Sequence, residues 1–189
     1  HPSVLERMRT LGWNVLRFSP DSSAEKVATS GARAVVFAGG PGSAGAVPDV
    51  VDLCRDLLGR VPIMGIGIGL EILGLAIGAE SKAMTRGHHG GNYPVKHIEA
   101  RRTEITSQNR RFALVPESLG EGTSLPGVAM HDLLGFADEE VVPAYQSDRF
   151  GPALVTHVNL NDGAIEGLRL EEQRAWAVGY LPTTSGGPN

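Results

Sequence analysis

Apolar residues at Val4, Leu5, Met8 and Leu11 recur at helical spacing and stop at Gly12, which predicts a helix over residues 2–11. Residues 13–18 then read as a strand, and residues 22–30 as a short helix capped by Ser22 or Ser23. Residues 34–38 form a continuous apolar run of the kind found in strands buried on both faces. After the turn cluster Gly39-Gly40-Pro41-Gly42 comes a helix over residues 48–58 with Pro48 in its first turn. An apolar strand over 61–66 and a helix over 69–77, ended by Gly78, complete this half.

Buried strands alternating with helices of this length predict a doubly wound α/β domain, its sheet mostly parallel with helices on both faces. The pattern changes after Glu80. Short strands are expected over 102–107, 153–158, 164–170 and 175–179, and Asn161-Asp162-Gly163 is a hairpin signal for antiparallel pairing in this half. Residues 116–152 show no clear period and read as a candidate insertion or lid, and residues 183–189 as a frayed tail. A doubly wound sheet normally opens on a strand, whereas this pattern opens on a helix, so the domain over 1–189 is expected to lack its first strand.

Composition narrows the function. With 189 residues, 41% hydrophobic and 20% charged, the chain suits one globular domain with a proper core. No run of about 18 apolar residues suggests a membrane span. The net charge of −4, with both signs interspersed, offers no basic stripe for nucleic acid. Cys54 is the only cysteine, which excludes an internal disulfide and fits a reducing, cytoplasmic setting. His88 and His89 are adjacent and have no third ligand at convincing spacing, so no metal and no cofactor are expected.

The chemistry should sit where the 61–66 strand runs straight into a helix through Gly65-Ile66-Gly67-Ile68-Gly69-Leu70-Glu71. Such a junction holds one side chain proud of a sheet beside a helix N-terminus, and in a nucleophile elbow that residue is Cys or Ser. Here it is Gly67. A dinucleotide fingerprint fails on spacing, because the third glycine would fall at Leu70 or Ile72.

The glycine cluster at 39–42, this elbow, Gly87-His88-His89-Gly90-Gly91-Asn92-Tyr93-Pro94-Val95-Lys96 and Ser107-Gln108-Asn109 resemble, in order and spacing, class I glutamine amidotransferases. The 88–96 stretch is similar to the carbamoyl-phosphate synthetase small subunit in particular. The resemblance implies a flavodoxin-like fold and a cleft lined by Gly40, Gly42, Gly67, Ile68, Asn109, Arg111 and Phe112. It also implies a catalytic cysteine at the Gly67 position. Its closing Gly-His-Pro-Glu motif falls on Gly179-Tyr180-Leu181-Pro182, so that Tyr180 replaces the histidine and Pro182 the glutamate. Glu71 stands for the family's glutamine and Arg111 for a glycine that presents bare backbone to substrate.

Two readings follow. In one, the fold persists without glutaminase activity as a binding, scaffold or regulatory subunit, paired with a synthetase-like or other biosynthetic protein. In the other, the cleft takes a different small molecule and Glu71 and Tyr180 perform acid/base work in a cyclisation, elimination or isomerisation. The bland alternatives stand beside them: the 39–42 loop as a mere connector, Glu71 and Tyr180 as hydrogen-bonded structural groups, and His131, Asp132 and His157 as ordinary polar residues.

Overall fold

A computed structural model describes residues 2–40, 42–119, 132–147 and 149–182. Helix α1 (Pro2–Thr10) is followed by α2 (Ala24–Ala28), whose cap is Ser23: its side chain accepts from the Lys26 amide. Strand β1 (Val35–Ala38) leads through a short 3-10 turn to α3 (Pro48–Leu57), and β2 (Ile63–Ile66) leads to α4 (Ile68–Ala76). The second half comprises β3 (Ser81–His97), β4 (Arg102–Leu114), α5 (Leu133–Asp138), β5 (Ala144–Ser147), β6 (Gly151–Asn159), β7 (Ile165–Leu170) and β8 (Ala175–Val178).

The described strands form one curled mixed sheet in the order β1-β2-β8-β7-β6-β3-β4, with β5 paired to β6. Parallel pairing is confined to β1-β2 and β2-β8, and every other pair is antiparallel. The α/β class and flavodoxin-like core therefore hold, with an antiparallel half larger than the sequence pattern suggests. Asn161-Asp162-Gly163 does turn β6 into β7: the Asn159 amide donates to the Ala164 carbonyl, and Gly163 takes φ 72°.

Helix α3 buries Val51, Cys54 and Leu57, at successive three-residue intervals, which keeps them on one helix face. Helix α4 is apolar almost all round because it is enclosed: it lies on β1, β2 and β8, with α3 packed against it and β4 beside it. Gly74 matters to that enclosure. A β-carbon there would overlap the Leu114 side chain of β4, so the glycine lets the hairpin close onto the helix. The core continues through Phe136 of α5, Tyr145 of β5, and Val155, Ile165 and Leu168, all at most 1% exposed. Full burial of each such side chain contributes roughly 1.5–3 kcal/mol.

Two local expectations change. Residues 13–18 form no strand, because no described strand lies beside them to complete a ladder. The 81–97 stretch, where no strand is expected from the sequence pattern, is a 17-residue strand paired with β4, with register shifts between Ala83 and His88 and between Gly90 and Tyr93. Those irregularities, which surround the glycines, hide the period of two in the sequence. The residue range 116–152 contains α5 and β5, while His131 and the tail at 183–189 lie outside the described residues.

Candidate functional site

The elbow is built as the sequence pattern requires. Gly67 has φ 63° and ψ −115°, a conformation that side chains rarely adopt, and it caps the N-terminus of α4. Its amide donates to the Val178 carbonyl at 2.9 Å and its own carbonyl accepts from the Leu70 amide. The flanking glycines have a different reason. A β-carbon on Gly65 would lie 2.5 Å from the Gly69 carbonyl oxygen, and one on Gly69 would overlap the Phe37 carbonyl. At Gly67 itself a β-carbon would meet only Leu181 Cδ2, at 3.9 Å, so the site has room for a side chain and carries none.

Of the residues expected in the cleft, Gly40, Gly42, Gly67, Ile68, Glu71, Asn109 and Phe112 line one cavity of about 30 Å³. That holds little more than a water molecule and lies far below the roughly 300–1,000 Å³ of ordinary ligand pockets. Gly39, Gly40 and Gly42 all have positive φ, so the loop beside the elbow depends on glycine.

Two expected placements change. Arg111 is exposed and absent from the cavity wall, whereas its neighbour Arg110 lines it. Tyr180 is not part of the wall either: its ring meets His157 edge-on at 5.9 Å. Burial, with Glu104 and Glu166 nearby, raises the Tyr180 phenol above its ordinary value. The residue at the end of β8 that faces Gly67 is Leu181, which is anchored by its amide donating to the Ser107 carbonyl.

Glu71 is in the wall but already engaged. It is 7% exposed, and its Oε1 accepts from Ser43 Oγ (2.7 Å), the Ala44 amide (3.0 Å) and Ser81 Oγ (2.8 Å). One carboxylate oxygen thus ties α4 to the loop after β1 and to the start of β3. Asn109 is exposed, with Oδ1 2.8 Å from His89 Nδ1.

Sequence reasoning missed the strongest charge cluster, which lies directly behind the cleft. Glu166, fully buried on β7, accepts at Oε1 from Gln108 Nε2 (2.6 Å), Arg110 Nη2 (2.7 Å) and Asn159 Nδ2 (2.8 Å). His88 stands between two carboxylates, with Nε2 2.8 Å from Asp162 Oδ2 and Nδ1 3.7 Å from Glu166 Oε1. Burial, the largest single influence on His88, opposes its charge, yet Asp162 and Glu166 together raise its pKa to about 9. Burial likewise works to raise the Glu166 carboxyl, and His88, Arg110, Asn159 and Gln108 outweigh it and hold it below the ordinary value. A run of alternating polar residues, Thr106, Gln108 and Arg110, on a strand facing an isolated acid in apolar β7 was the only available signal.

His157 stacks on His97 at 4.2 Å between centroids, and burial together with the His97 charge lowers its pKa to about 4. Cys54 lies fully buried in α3, its thiol pushed up to about 12 by burial. Among the described residues no group of three or more His, Cys, Asp or Glu side chains is placed to hold a metal ion. None of the described helices is long and apolar enough to cross a membrane.

Comparison with known proteins accounts for this architecture. The family Glutamine amidotransferase class-I matches residues 2–189. The chain is 32% identical over 187 residues to a carbamoyl phosphate synthase small chain of Aquifex aeolicus, covering 99% of this chain and 42% of that protein. It is 34% identical over 186 residues to the one of Methanopyrus kandleri, covering 98% and 44%. The chain thus spans less than half the length of these relatives. Among solved structures, a glutamine amidotransferase of Thermotoga maritima superposes with a TM-score of 0.54 at 14% identity, covering 94% of this chain and 68% of that one, which bears on the fold alone. On the family match and these relatives together, the chain belongs to the class I glutamine amidotransferases.

Proposed function

We propose that this domain is an amidotransferase-like module without glutaminase activity, acting in the cytoplasm as a non-catalytic binding or regulatory subunit beside a synthetase-like protein. One observation carries the reading: Leu181 is the side chain that faces Gly67. An aliphatic group opposite a glycine supplies neither the nucleophile nor the base that amide hydrolysis through a covalent intermediate needs. The only cysteine, Cys54, is buried in α3 with its thiol pushed up to about 12 by burial, so it is no activated nucleophile. The partner class is suggested by the relatives, which are named as small chains of carbamoyl phosphate synthase.

The geometry gives less support to a repurposed enzyme. Glu71 is committed to three hydrogen bonds, Tyr180 turns toward His157, and the cavity between the elbow and β4 is too small for a metabolite. The test is a glutaminase assay on the purified chain, together with gel filtration against a recombinant synthetase-like chain from the same source. Expected are no ammonia above buffer and co-elution of the two chains. Ammonia release from glutamine, or separate elution at micromolar concentration, overturns the reading.

A further inference from the structure

We propose that the exposed cations Lys82, Arg86 and Arg111, at the rim of the cleft, form a surface through which this domain docks on an acidic patch of its protein partner. The inference deepens the partner reading given above and rests on it only for which protein that partner is. Among the described residues from 80 onward, each other Lys or Arg side chain has a carboxylate, carbonyl or ring partner, as Arg110 has Glu166 and Arg169 has Glu99. Lys82, Arg86 and Arg111 are exposed, and their side chains make no ion pair or hydrogen bond among the described residues. All three unpaired cations of this half thus fall on one hairpin, β3-β4.

The pairing of β3 with β4 brings them together. Ala83 pairs with Phe112 and His88 with Arg110, so Met84, Thr85, Arg86 and Gly87 stand opposite Arg111 alone. Such an excess of residues bends a strand and re-aims its side chains. Gly87 then returns onto β4: a β-carbon there would lie 3.0 Å from the Arg110 carbonyl oxygen. That approach sets Arg86 beside Arg111. Lys82 pairs with Ala113, two residues from Arg111, and α-carbons on such a diagonal are roughly 7–8 Å apart. Asn109, Phe112 and Ala113, on both sides of Arg111 in the chain, line the cavity beside Gly67, so the cations stand at the edge of the cleft and not inside it.

Like charges held together without a counter-ion repel one another, and an acidic surface that meets them relieves the repulsion. The chain supplies no such relief itself: Glu80 and Glu117, on the adjoining stretches, are exposed and pair with none of the three. The excess is also local, since the chain carries a net charge of −4. A small anion is a poor match, because the adjoining cavity holds about 30 Å³ and exposed side chains on an open hairpin enclose nothing. Nucleic acid calls for a continuous cationic track, which three residues in an acidic chain do not make. A protein surface bearing carboxylates over a similar width fits both the spread of these charges and their exposure, and rim charges of this kind govern association rate and register.

The test measures binding of the 189-residue chain to a recombinant synthetase-like chain from the same source by titration calorimetry. Compared are the unaltered chain, a rim variant (Lys82→Glu, Arg86→Glu and Arg111→Glu together) and a control (Arg7→Glu, Arg9→Glu and Arg17→Glu together) that shifts net charge equally from other exposed positions. Expected are affinity lowered about tenfold or more in the rim variant, a loss below about twofold in the control, and a weaker salt dependence in the rim variant than in the unaltered chain. A neutral variant, with Gln at the same three rim positions, should fall between and keeps the test decisive if charge reversal prevents folding. Equal affinity of the unaltered chain and the rim variants overturns the proposal and leaves the partner reading intact. Failure of the unaltered chain to bind defeats the partner reading, and a fluorescein-labelled decaglutamate then decides the present one: it stands if the peptide binds the unaltered chain about tenfold more tightly than the rim variant, and falls otherwise. Tighter binding of a single-stranded oligonucleotide of equal charge than of decaglutamate would give the rim to nucleic acid and also overturn the proposal.

Discussion

The first turn of α4 lies so close to β1 that a β-carbon on Gly69 would overlap the carbonyl oxygen of Phe37. Backbone cannot yield as a flexible side chain can, so Gly69→Ala is expected to cost about 3 kcal/mol or more through overpacking. Gly67→Ala, which meets only Leu181 at 3.9 Å, should cost roughly 1–2 kcal/mol for its positive φ. Chemical denaturation of the two variants checks the order, and equal losses would contradict it.

Restoring a thiol alone should not restore hydrolysis. Gly67→Cys is expected to fold and to release no ammonia from glutamine, because Leu181 offers no base. Measurable turnover in that single variant would show that some other group activates the thiol.

Behind the cleft, Arg110 and Glu166 form an ion pair at 2.7 Å in which the acid is wholly buried. Arg110→Met should destabilise the fold by about 3–5 kcal/mol, since it leaves a buried carboxylate short of its cation. Adding Glu166→Leu to Arg110→Met should recover part of that loss. A double variant as unstable as the sum of the two single ones would mean that the pair is not coupled.

His88 sets the alkaline limb of stability. Its folded pKa of about 9 lies above the ordinary 6.5, so the stabilisation is fully present below 6.5 and is lost as pH rises toward 9. Asp162 and Glu166 are held below their ordinary values, so their contribution is present above about 4.5 and lost as pH falls. His157 is lowered to about 4, so it subtracts stability as pH falls from 6.5 toward 4. Unfolding free energy measured against pH should fall between 6.5 and 9, and His88→Asn should flatten that limb while leaving the acid side in place. An unchanged alkaline slope in the variant would remove His88 from this role.

Glu71→Ala removes an acceptor shared by Ser43, Ala44 and Ser81 and is expected to cost about 2 kcal/mol. Glu71→Gln keeps an acceptor oxygen and should cost less, as thermal melts of the two proteins would resolve.

The elements between residues 34 and 77 were legible because they are the ordinary case: apolar strands and helices with one buried face, punctuated by Gly and Pro. The site was legible in outline, and its errors share a cause. Arg111 was expected where Arg110 lies, and Tyr180 where Leu181 lies. A family motif carried over from sequence gives the neighbourhood of a site but not which of two neighbouring side chains the fold turns into it. The pairing of β3 was hidden by glycines at its irregular register, and Glu166 by its surroundings, since one acid in an apolar strand shows no partners until the strands are assembled. The strand expected over 13–18 failed for a different reason: propensity needs a neighbour.

The hydrogen bond from the Gly67 amide to the Val178 carbonyl joins positions far apart in the chain. Strand β8 lies between β2 and β7, so the parallel half of the sheet and the antiparallel half meet only through it. During synthesis the elbow therefore waits for β8, and a nascent chain stopped before residue 175 has β2 with a vacant flank and α4 resting on β1 and β2 alone. The cleft is among the last parts of this domain to acquire its shape.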